Sequence, residues 1–155
     1  MAIIASRAAQ ARRIAPEDEY RLEEQVGFLL RRAHQRHVAI FADAVNGMNL
    51  TPTQFSALVK IRDEGGVSQN LLGRLTAMDP ATILGVVQRL LQRRLVARGS
   101  DPRDPRASVL TLTTAGHALV ERAIPRARAA TERTAEPLSS AQAKELSRLL
   151  GKIAQ

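Results

Sequence analysis

Residues 68–113 constrain this chain more than any other stretch. Arg98–Thr113 reads Arg-Gly-Ser-Asp-Pro-Arg-Asp-Pro-Arg-Ala-Ser-Val-Leu-Thr-Leu-Thr. Two β-prone runs, Leu95–Arg98 and Ala107–Thr113, flank a tip of Asp, Pro and Arg. Proline fixes φ and Asp favours turns, so this run predicts a β-hairpin with a rigid, cationic tip. Upstream, Ser68 caps a short helix to about Ala77, and Asp79-Pro80 opens another to about Arg93. Two short helices joined by a turn and followed by a charged hairpin make a winged helix-turn-helix. That arrangement puts the second helix in a DNA major groove and the wing against the backbone or minor groove.

The flanking sequence is helical. Leu22, Val26, Leu29, Ala33, His37, Ile40 and Ala44 recur at spacings of three and four, which predicts one long helix over Glu17–Val45. Asn46-Gly47 ends it with turn chemistry. Thr51-Pro52-Thr53-Gln54 is a capping box with proline at the first helical position, opening a helix to about Arg62. Thr113 caps a helix through about Arg133, with Pro125 inside it, where a kink or short break is expected. Ser139-Ser140-Ala141-Gln142 opens a last helix to about Ile153. The fold class is therefore mainly α with a small β-hairpin wing. Residues 1–16 form a basic arm, 48–112 the winged-helix DNA-binding domain, and 17–47 and 113–155 dimerisation helices. Amphipathic helices at both ends of a reader domain must bury their apolar faces, and a second copy is the economical partner. A homodimer also sets two recognition helices about one DNA turn apart, roughly 34–36 Å, which suits a pseudo-palindromic operator.

Charge points the same way. The 155 residues carry a net charge of +8, with a pI near 11.3. Such a balance favours a polyanionic partner, and Arg suits phosphate and guanine edges better than Lys. Arg89, Arg93, Arg94, Arg98, Arg103 and Arg106 cluster around the helix-turn-helix and wing. The chain has no cysteine, which fits a reducing compartment. No apolar run approaches the roughly 18 residues of a membrane span, and no apolar segment follows Arg7, Arg12 and Arg13 as in a signal peptide. These features lead us to expect a cytoplasmic protein with no membrane partner. No nucleophile–base pair, phosphate loop, cofactor motif or paired carboxylates stand out, so an enzyme is not expected.

Within the reader, Pro80, Ala81 and Thr82 lie in the first turn of the recognition helix. The small side chains of Ala81 and Thr82 allow close approach, both offer methyl contact to thymine, and Thr82 adds a hydroxyl. Gly85 in mid-helix costs roughly 1 kcal/mol relative to Ala, so either groove approach or packing must require it. Gln88 shares that face, and Arg89 can reach a phosphate or a base. Ser68, Gln69 and Asn70 open the preceding helix, whose N–H groups favour a phosphate. In the wing, Arg106 is the candidate minor-groove contact, oriented by Asp104, with Arg103 as a second cation.

These segments, in this order, resemble the MarR family of bacterial transcription regulators, from about Arg21 to Gln155. Leu50-Thr51-Pro52-Thr53-Gln54 is similar to the family's Leu-Thr-x-x-Gln. Residues 68–90 are similar to its helix-turn-helix. Asp101-Pro102-Arg103-Asp104-Pro105-Arg106 with Leu112-Thr113-Thr114-Ala115-Gly116 is similar to its wing and the helix start beyond it. Two positions depart. Pro105 stands where the family usually has Arg, and Arg94 where it favours Gly, whose left-handed conformation Arg adopts at a cost. Gln25–His37 is also similar to regulators of nicotinate catabolism within the family.

The resemblance implies a repressor that leaves DNA when a small aromatic carboxylate or phenol binds between the first helix, the reader and the dimer helices. A hydroxynicotinate-like acid is one such effector. Leu30, His34, His37 and Phe41 form one stripe of the first helix, and buried histidines need polar partners. His34 and His37 are candidate donors to the effector, with Phe28, Phe41 and Met48 as apolar walls. A satisfied core or interface histidine is the alternative. Two other functions are compatible with these residues. One is a zinc-responsive repressor using His34, His37, His117 and Glu121. The other is an architectural protein that coats DNA constitutively.

Overall fold

A computed structural model of the chain describes residues 20–100 and 107–154. The basic arm 1–16 and the wing-tip residues Arg103, Asp104 and Arg106 lie outside the described residues. The chain divides into a first unit ending at Ala33 and a second beginning at His34. In order, the described elements are a 3-10 turn (Leu22–Glu24), α1 (Val26–Ala44), α2 (Pro52–Glu64), α3 (Gln69–Leu75), α4 (Pro80–Gln92), β1 (Val96–Ser100), β2 (Ser108–Leu112), α5 (Thr114–Ala135) and α6 (Ser140–Ile153). None of the described helices is long and apolar enough to cross a membrane.

The helix starts follow from side chains that satisfy free N–H groups. The Thr51 hydroxyl accepts from the Gln54 N–H and the Gln54 side-chain oxygen accepts from the Thr51 N–H, both at 3.2 Å. Ser139 and Gln142 repeat this box at α6. Asp79 accepts from the N–H groups of Ala81 and Thr82 at 3.0 and 2.9 Å. Ser68 caps α3 through the Leu71 N–H, and Thr113 caps α5 through the Gly116 N–H. α2 stops at Gly65, whose φ of +69° is left-handed.

Two expectations are corrected. Among the described residues, the long helix predicted over Glu17–Val45 begins at Val26, because Gln25 is extended (φ −77°, ψ 132°) after the 3-10 turn. Leu22, Val26 and Leu29 are exposed, and a helical turn without packing is marginal. The break considered at Pro125 does not occur, since α5 runs through it. Pro125 cannot donate to the Glu121 carbonyl, and Glu121 is exposed, so that carbonyl can turn to solvent.

β1 and β2 pair antiparallel, with Val96 opposite Leu112 and Ser100 opposite Ser108. Val67 joins this hairpin by two backbone bonds to Leu110, of 3.1 and 2.8 Å. The core gathers Leu58 and Ile61 from α2, Leu72 from α3, Leu90 from α4, Leu110 from β2 and Val120 from α5, all essentially inaccessible. The helix-turn-helix is thereby anchored to both the wing and α5. α3 approaches α4 closely at Gly73, where a methyl group would lie 3.3 Å from the Met78 carbonyl oxygen and 3.4 Å from Ile83.

Candidate nucleic-acid interface and effector recess

α4 has two faces. Ile83, Val86, Val87 and Leu90 are buried, whereas Pro80, Ala81, Thr82, Gln88 and Arg89 are exposed and Gly85 is half-buried. A methyl group added to Gly85 would meet only the Arg89 guanidinium, at 3.8 Å. Core packing therefore does not require glycine there. The Thr82 hydroxyl donates to Asp79 at 2.5 Å, so its proton is committed, leaving its methyl group and oxygen lone pairs outward. These bonds hold the Asp79 carboxyl below its ordinary range; the Thr82 hydroxyl contributes most and the Thr82 N–H next.

The wing meets the helix-turn-helix through a residue absent from the sequence-predicted site. Arg98 on β1 donates to the Gln69 side-chain oxygen at 3.1 Å and to the Ser108 hydroxyl at 3.4 Å. This joins the base of the hairpin to the first residue of α3. Ser68 and Asn70, on either side of Gln69, are exposed. Two arginines of the basic cluster have other duties. Arg93 donates to the Asn49 and Met48 carbonyls at 2.6 and 3.0 Å, tying the end of α4 to the α1–α2 turn. Arg94 has φ +55°, so it adopts the left-handed conformation where a glycine would be unstrained. Its carbonyl accepts the Thr113 hydroxyl at 2.7 Å.

The proposed effector residues separate. Phe41 and Met48 are core residues, 2% and 5% exposed, and the Phe41 ring packs on Phe55 with centroids 5.5 Å apart. His34 is exposed. In the first unit the Phe28 ring lies under the guanidinium groups of Arg31 and Arg32, at 5.4 and 5.9 Å. Of this set His37 lines an open cleft of about 530 Å³, together with Thr131, Thr134, Lys144, Ser147 and Leu150.

The tautomer of His37 follows from its neighbours. The Thr134 hydroxyl donates to the Ala130 carbonyl at 2.7 Å. Its oxygen must then accept from His37 Nδ1–H, 2.9 Å away. Nε2 makes no hydrogen bond to another described residue. Arg36, one residue before, donates to the carbonyls of Thr134 and Arg133 at the end of α5 at 2.6 and 3.4 Å, where cations are favoured.

A second groove of about 560 Å³ runs between α2 and α5, walled by Phe55, Val59, Ile124 and Ala127 and edged by Arg62 and Arg128. Thr131 and Glu132 line both hollows, so they form one recess along α5. Arg62 is occupied by Asp63 and Glu121 at 2.9 and 3.2 Å, whereas Arg128 makes no hydrogen bond to another described residue. Sequence reasoning missed Arg128, Thr134 and Lys144. Which faces of α5 and α6 turn toward α1 and α2 is decided by packing between segments far apart in sequence.

Among the described residues no three His, Asp or Glu side chains come together to hold a metal ion. Glu121 is paired with Arg62, His37 with Thr134, and His34 is exposed.

Comparison with known proteins agrees with this geometry. The family model described as MarR family matches residues 48–107. The chain is 43% identical to the HTH-type transcriptional repressor NicR of Pseudomonas putida over 141 residues, covering 90% of this chain and 89% of NicR. Among solved structures, it is similar to BpsR of Bordetella bronchiseptica, a protein whose DNA binding is described as regulated by 6-hydroxynicotinic acid. The TM-score is 0.83 at 43% identity, over 88% of this chain and 98% of BpsR. A probable transcriptional regulator from Pseudomonas aeruginosa matches with a TM-score of 0.80 at 45% identity, over 86% of this chain and 99% of the other. The winged helix-turn-helix, its flanking helices and these relatives together establish that the chain belongs to the MarR family of transcription regulators.

Proposed function

We propose that this chain is a homodimeric repressor that leaves a pseudo-palindromic operator when a small hydroxylated aromatic acid binds. The observation that carries the DNA reading is the solvent-facing side of α4 beside a hairpin fixed to α3 by Arg98. In this reading 48–112 is the DNA-binding module. Its contacts come from Ser68, Gln69, Asn70, Pro80, Ala81, Thr82, Gly85, Gln88, Arg89 and the wing residues Arg103, Asp104 and Arg106. Exposed apolar side chains on α1 (Val26, Leu29, Leu30) and on α6 (Leu146, Leu149, Leu150, Ile153) are what a second copy would cover.

The effector reading rests on the α5 recess and on the similarity to NicR and BpsR. Arg128 offers a bidentate partner for a carboxylate, and Phe55, Val59 and Ile124 supply apolar walls. Thr134 lies six residues beyond Arg128, about 9 Å along the helix axis. It orients His37 so that Nε2 is free for a ring hydroxyl or ring N–H at the far end of the ligand. In this reading one aromatic ring with polar groups at opposite ends bridges the two hollows. A 100-fold loss of DNA affinity needs about 2.7 kcal/mol of coupling, within reach of two or three directed hydrogen bonds. The test is fluorescence anisotropy of the full chain on a labelled duplex, with 6-hydroxynicotinic acid titrated in and benzoate as a comparison. Release by the first acid supports the reading, and binding unmoved by either overturns the effector assignment.

A further inference from the structure

Leu84 stands out on α4. It is 45% exposed in a helix whose other large apolar residues are buried or packed against the core. The remaining strongly exposed apolar residues lie mainly on the first unit, α1 and α6. Ala81, Leu84, Gly85 and Gln88 recur at offsets of three, four and seven, so they share one stripe of the helix. At its centre Gly85 presents no side chain, and the space above it is open except for Arg89 at 3.8 Å. The stripe is thus a shallow apolar cup, edged by one amide and one guanidinium. With the Arg89 guanidinium assigned to a phosphate, the rest of the cup lacks the cationic fork that a guanine edge calls for. It suits an A·T step: a thymine methyl group in the cup, and an adenine edge facing the Gln88 amide.

We propose that Leu84 determines operator specificity by packing against the C5-methyl group of a thymine in each half-site, beside an adenine read by Gln88. This rests on the reading that α4 enters the major groove. Arg89 at the end of the stripe, and the net charge of +8, commit the cup to nucleic acid rather than to an apolar partner. Leu84 makes no core contribution that would explain an exposed leucine at this place.

The experiment begins with duplexes selected by the full-length protein from a random-sequence library. The recovered duplex is then made with every thymine replaced by deoxyuridine, which removes only the C5-methyl groups. The expected result is a thymine–adenine step in both half-sites. Binding to the uracil duplex should be weaker by about four-fold for each methyl packed on Leu84. Leu84→Ala should lose the four-fold share that belongs to its own methyl contact while keeping its thermal midpoint, because the side chain is exposed. Equal binding of both duplexes by the natural protein overturns the proposal, and so does a full preference retained in Leu84→Ala. Recovery of no duplex overturns the groove reading together with it.

Discussion

The backbone of Gly116, in the first turn of α5, lies so close to Leu95 that a methyl group would overlap the Leu95 carbonyl oxygen. It would also sit 3.0 Å from the carbonyl carbon and 3.4 Å from Leu112. The end of the reader and the start of α5 touch through a gap that only glycine fills. Gly116→Ala should therefore destabilise the fold by about 1–3 kcal/mol, the usual cost of overpacking. A chain of this size should lose roughly 2–4 °C per kcal/mol in thermal midpoint, measured by circular dichroism. An unchanged midpoint would show that the α5 start can move away from Leu95 freely.

Gly85→Ala should do the opposite to stability. Its site is open, so the substitution gains about 1 kcal/mol of helix propensity. DNA affinity should nonetheless fall, because the new methyl group stands on the groove-facing side. A variant both more stable and equally tight on DNA would remove Gly85 from the interface.

Arg94→Gly should stabilise the chain by about 1 kcal/mol, since φ +55° is strained for arginine and not for glycine. Chemical denaturation at constant slope reads this directly. A loss of stability would mean that the arginine side chain contributes more than its backbone conformation costs.

The neighbouring arginines should separate by salt dependence. Arg93→Ala removes two bonds to the Met48 and Asn49 carbonyls and should lower stability while leaving the salt dependence of DNA binding unaltered. Arg89→Ala should leave stability intact. If Arg89 neutralises a phosphate, the slope of log affinity against log salt should shrink by about 0.9 in this variant. Reversed results would exchange the two roles.

Acid should loosen α4 through Asp79. Its carboxyl ionises below the ordinary range when folded, held first by the Thr82 hydroxyl and then by the Thr82 and Ala81 N–H groups. A depressed folded value contributes stability that is present above the unfolded value and is lost as pH falls through the folded one. Asp79→Asn should therefore flatten the decline of stability below about pH 4. A decline as steep as in the natural chain would place the acid sensitivity elsewhere.

The reader was legible in the sequence because its signals are local. Ser68, Asp79 and Thr113 mark helix starts through bonds made within three residues, and the alternation around Leu110 marks a strand. The left-handed strain at Arg94 was also foreseeable from its place after the recognition helix. The recess was less legible, because it depends on packing between segments far apart in sequence. Phe41 and Met48 carried the right chemistry for a pocket wall but fill the core. His37 was identifiable from its stripe, whereas its partner Thr134, 97 positions away, was not.

In the proposed switch an aromatic acid acts through His37. The most direct measurement is anisotropy of the natural chain and His37→Ala on one operator duplex, with 6-hydroxynicotinic acid titrated from zero to saturation. The expected result is equal DNA affinity without ligand, release of the natural chain, and no release of His37→Ala at the same concentrations. Release of both proteins along the same curve would contradict it and move the effector away from the His37–Thr134 end of α5.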